Sequence, residues 1–140
     1  MHWIVAGLIA GIGAFFADYV MWGKVFTGPE MHAFGTMPPT PEAQKEMMLP
    51  AMLKTGALAL VFGVLLAWFY HQLKPGLWAK GGGPLAGMEF ATMLWSCTIA
   101  LSTLGNGVWY DKVRPLLKAT FWSWLVRLNV AGFIVGVFVK

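Results

Sequence analysis

FWSWLVRLNVAGFIVGVFVK, residues 121–140, decides how this chain is read. A helix of about 20 residues at 1.5 Å each is about 30 Å long, the thickness of a bilayer's hydrocarbon core. Apart from the closing Lys140, only Arg127 carries a charge in the segment. The stretch therefore reads as a transmembrane helix holding a permanent cation, and a partner for that cation is expected elsewhere in the chain.

Three more apolar runs of similar length precede it. The chain has 140 residues, 58% hydrophobic and 11% charged, too little polar surface for a soluble domain of this size. The spans are expected at Trp3–Phe26, Pro50–Tyr70, Pro84–Tyr110 and Lys118–Val139. Each should be helical, because unpaired backbone amides are costly in lipid. The fold class is all-α: an integral membrane four-helix bundle of two antiparallel hairpins, in one domain spanning 1–140. The first connection, Thr27–Leu49, is long and carries Pro29, Pro38, Pro39 and Pro41. The second, His71–Gly83, ends in three glycines, and the third, Asp111–Leu117, is short. The first span lacks a basic leader and a small-x-small cleavage site, so it reads as a retained anchor.

The net charge of +4 is spread over loops. That distribution suits anionic headgroups and argues against nucleic acid. Trp3, Trp68, Tyr70 and Trp78 fall at one membrane face, and Trp22, Trp109, Tyr110, Trp122 and Trp124 at the other, as two interfacial belts. Lys24, Lys45, Lys54, Lys112, Arg114 and Lys118 share the face of the first and third loops. Lys74, Lys80 and Lys140 share the opposite face. By that count both termini lie outside the cytoplasm.

Small and polar residues mark the helix faces. Gly7, Gly11, Ala14 and Asp18 form one stripe in span one, expected to face another helix. Gly56, Ala59, Gly63 and Ala67 form a comparable stripe in span two. Span three carries Glu89, Thr92, Ser96, Thr103 and Asn106 along one polar stripe. Span four has two faces: Ser123, Arg127 and Ala131 on one, Asn129, Gly132 and Gly136 on the other. Arg127 and Asp18 lie about nine and about eight residues in from the same membrane face, so their depths agree to within about a turn. Asp18 is the expected partner of Arg127, with Glu89 also within reach. The pair reads either as a structural lock or as a functional intramembrane charge. The Asn129, Gly132 and Gly136 face serves either packing within the bundle or contact with another subunit.

Metal and catalytic chemistry find less support. Met31, His32, Met37, Met47 and Met48 offer copper-suited donors at irregular spacing. His2 and His71 share a membrane face with Glu89, but nothing in their spacing enforces convergence. Zinc-protease, nucleophile-elbow, phosphate-loop and paired-cysteine motifs are missing. Cys97, the single cysteine, is expected as a small core residue. No cofactor is expected.

Two short matches, DYVMWGKV at 18–25 with NGVWYDKV at 106–113 and VFGVLL at 61–66 with IVGVFV at 134–139, hint at related hairpins. The stretches ADYVMWGKVF and NGVWYDKVRPLLKATFWSWLVRLNVAGFIVGVF resemble a family of small bacterial four-span membrane proteins, catalogued as a domain of unknown function. That resemblance implies the fold and a bacterial membrane location, and no activity. Arg127 and the Met/Pro loop depart from the family's pattern. The leading functional expectation is a non-enzymatic accessory or structural subunit, packed against itself or a larger membrane complex. The alternative is an oligomeric small-molecule or ion transporter with its polar path along span three.

Overall fold

A computed structural model describes residues 2–26 and 41–139. The described chain is helical throughout its elements: α1 (Trp3–Val20), α2 (Pro41–Leu73), α3 (Gly83–Trp95), α4 (Leu101–Trp109) and α5 (Arg114–Phe138). Five-residue π-helical turns follow α1 at Met21–Val25 and join α3 to α4 at Ser96–Ala100. Four stretches are long and apolar enough to cross a membrane: Trp3–Val25, Lys45–Gly76, Gly83–Val108 and Arg114–Phe138. The chain is an all-α, four-helix membrane protein.

Two helix starts and the regularity of one span differ from the sequence expectation. Helix α2 begins nine residues before Pro50, because the polar segment ahead of it is built of good helix formers such as Glu42, Ala43, Lys45 and Met47. At 33 residues it is about 50 Å long and outreaches the hydrocarbon layer. Helix α5 begins at Arg114, four residues early, with Pro115 in its first turn, where a missing N–H is harmless. Span three is not one regular helix. The hydroxyls of Ser96 and Thr98 donate to the carbonyls of Thr92 and Leu94, at 2.8 and 2.6 Å, where the ladder widens.

Helix α1 packs on both α2 and α5, and α3 packs on the other side of α5. Backbones touch along two glycine seams. A Cβ on Gly7 would lie 2.6 Å from Val64 Cα, and one on Gly11 2.8 Å from Leu60 Cα, so no side chain fits between α1 and α2. Gly87 abuts Gly132 and Gly136 in the same way between α3 and α5. The core is correspondingly small-residue rich, with Ala6, Ala10, Ala14, Ala91 and Ala131 buried. Tyr70, expected in an interfacial belt, is instead fully buried, its ring edge-on to Phe90 at 5.8 Å. The entry to α3 runs through Gly82 and Gly83, both at positive φ, a conformation that side chains disfavour.

Candidate functional site

Two polar features stand out in an otherwise apolar molecule. The first is internal. Arg127 Nη1 lies 2.8 Å from Asp18 Oδ2, with side chains 13% and 15% exposed. The guanidinium also sits 4.5 Å from the ring centroids of Phe62 and Trp124. One cation is thus held by a carboxylate from α1, a ring from α2 and a ring from its own helix. Ring faces attract cations, and burial strengthens the attraction. Phe62 and Trp124 meet edge-on at 6.0 Å, which fixes the cage. Trp124, expected as a belt residue, is therefore part of the cation's housing. Arg127 Nε and Ser123 Oγ, one turn apart on this face, are buried without a hydrogen-bond partner among the described residues.

Glu89 is not part of this cage. Its two oxygens accept from the backbone amides of Trp78 at 2.7 Å and Ala79 at 2.8 Å. The carboxylate pins the second loop onto the end of α3, and Leu77 beside it is buried. Trp78 itself is 84% exposed, as an interfacial anchor should be.

The second feature lies on the outside. Thr92 Oγ1 donates to Asn129 Oδ1 at 3.2 Å, linking α3 to α5, and Asn129 Nδ2 donates to the Leu125 carbonyl at 3.0 Å. This pair lines an open groove between α3 and α5, walled by Met88, Leu125, Val126 and Phe133. The groove continues along α3, past Glu89 toward Trp78 of the second loop and, the other way, to Ser96 and Cys97 at the π turn. Cys97 is exposed there, not in the core as expected.

The expected polar stripe of span three is divided. Thr92 and Ser96 belong to the groove. Thr103 is buried and donates to the Ile99 carbonyl, and it lines a separate recess with Leu117. Asn106 is exposed near the end of α4. The intervening π turn takes up an extra residue and rotates the rest of the span, so helical spacing fails across it. Trp95 Nε1 donates to the Phe121 carbonyl at 3.1 Å, a second polar tie between the third and fourth spans.

Gly7 and Gly11 lie on the seam with α2. Gly132 and Gly136 face α3 and are buried, so they pack within the chain and present no outward face. Asn129, on the border of that seam, is the part that reaches the surface. His2 caps α1, its Nδ1 accepting from Ile4 N at 3.4 Å, and it stacks on Trp3. His71 is exposed on the last turn of α2. No three metal-ligating His, Cys, Asp or Glu residues come together among the described residues. Met31 and His32 lie outside the described residues.

Sequence reasoning missed the cage rings, the loop contact of Glu89 and the Thr92–Asn129 link. Only the last left a signal, as two polar residues in facing apolar spans. Compared with protein-family models, curated proteins and solved structures, the chain matches none.

Proposed function

We propose that this chain is a non-enzymatic structural subunit of a membrane assembly, formed with itself or with larger partners. The bacterial cytoplasmic membrane, with both termini outside, completes the reading. It rests on one observation above the others: the Thr92–Asn129 pair lies on the outer surface, where a lone chain would meet hydrocarbon. Polar side chains at that depth act as glue between helices. The largely buried Asp18–Arg127 pair fits a scaffold, with its charges used to hold helices together.

The test is extraction from the native membrane in mild detergent, followed by analysis of the particle's composition. More than one chain per particle, of one kind or several, is the expected result. Single chains throughout would end this reading.

A second reading is favoured by the alignment of Glu89, Thr92, Ser96 and Asn129 along one groove. Joined copies would enclose that line as a polar path for a small molecule or ion. Thr92→Val with Ser96→Ala would then abolish flux into vesicles while leaving assembly intact. Unchanged flux would remove transport along this groove.

A further inference from the structure

Asn129 carries two amide hydrogens and two carbonyl lone pairs. Within the described residues it uses one of each, toward Leu125 and Thr92. The remaining donor and acceptor belong to a side chain that lines the open α3/α5 groove. Apolar walls surround them: Met88, Leu125, Val126 and Phe133. Hydrocarbon supplies no partner for either group, so a hydrogen-bonding occupant is favoured over lipid.

We propose that the occupant is a second copy of this chain, docked groove to groove about a two-fold axis along the membrane normal, with the two Asn129 amides paired. The inference deepens the subunit reading and rests on it. Two copies inserted with the same topology place every residue at the same depth as its counterpart. A closed two-fold contact then sets the same patch against itself. Asn129 lies 15 residues past the start of α5, about 22 Å along it, so its counterpart arrives at that level without any shift. A primary amide is self-complementary: each donates to the other's carbonyl in a reciprocal pair. An unrelated partner would need its own donor and acceptor at that depth. The groove walls supply the apolar packing around the amides.

The experiment counts chains per particle in nanodiscs excised directly from the native membrane, and determines which proteins each disc holds. Two copies per disc are expected. Asn129→Leu should convert the population to single chains, whereas Thr92→Val, which frees the amide without removing it, should keep the pairs. Val126→Trp fills the groove while leaving Asn129 in place, and it should also give single chains if Asn129→Leu fails to fold. Pairs that survive both Asn129→Leu and Val126→Trp would overturn the inference. Discs holding one copy beside a different protein would overturn it and leave the subunit reading standing. Single chains alone would overturn both.

Discussion

Arg127 on α5 and Asp18 on α1 meet at 2.8 Å in the interior, and the cation lies against the rings of Phe62 and Trp124. The pair joins the two central helices, one from each hairpin. Removing either partner leaves an uncompensated buried charge. By analogy with soluble proteins this costs about 3–5 kcal/mol. Arg127→Leu and Asp18→Leu should each destabilise by about that amount, whereas the double variant should recover much of the loss. Denaturation in mixed micelles measures all three. Additive losses would mean that the two charges act independently.

The glycine seams make a second prediction. Gly87→Ala places a Cβ 2.8 Å from the Gly132 carbonyl carbon and 2.9 Å from Gly136 Cα, both rigid backbone atoms. The helices must separate, at a cost of about 1–3 kcal/mol. Gly105→Ala meets nothing within 4 Å and serves as the control. It should be neutral or slightly stabilising, since alanine favours helix. Equal behaviour of the two variants would contradict the seam.

Glu89 predicts a local effect. Glutamine offers one oxygen where the carboxylate offers two, so one of the two amide bonds from Trp78 and Ala79 is lost. Glu89→Gln should speed hydrogen exchange at those amides and tryptic cleavage after Lys80. The loss of overall stability should be about 1–3 kcal/mol. Unchanged exchange at both amides would show that Glu89 does not hold the loop.

The Trp95 ring lies 4.6 Å from that of Phe121; Trp95→Phe keeps an aromatic ring there and deletes the indole N–H that reaches the Phe121 carbonyl. Hydrogen bonds between membrane helices contribute about 0.6 kcal/mol on average. A loss near that size, read by the same denaturation, is expected. A loss several times larger would mean that the tryptophan's bulk, not its N–H, carries the contact.

The four spans were legible because length and apolarity alone select them. Asp18 and Arg127 were legible as partners because depth along a helix follows from residue count. Glu89 was not, since its acceptor role is met by backbone amides, which any residue supplies. The orientation of Gly132 and Gly136 was ambiguous for a related reason. A small-residue stripe marks close approach without naming the neighbour, and here the neighbour is Gly87 of the same chain. The break in the polar stripe followed from the π turn at Ser96–Ala100, where the assumed 3.6-residue period fails.

The proposed assembly covers the α3/α5 groove with protein rather than lipid. Lipid accessibility in the native membrane tests this. A nitroxide on the native Cys97, exposed along the same groove, reports that surface, and one on Leu58→Cys, in a Cys97→Ser background, reports a surface 68% exposed on α2. Oxygen dissolved in the bilayer should relax the Leu58 label strongly and the Cys97 label weakly. Equal, strong relaxation at both sites would show a groove open to lipid and would contradict the proposed assembly.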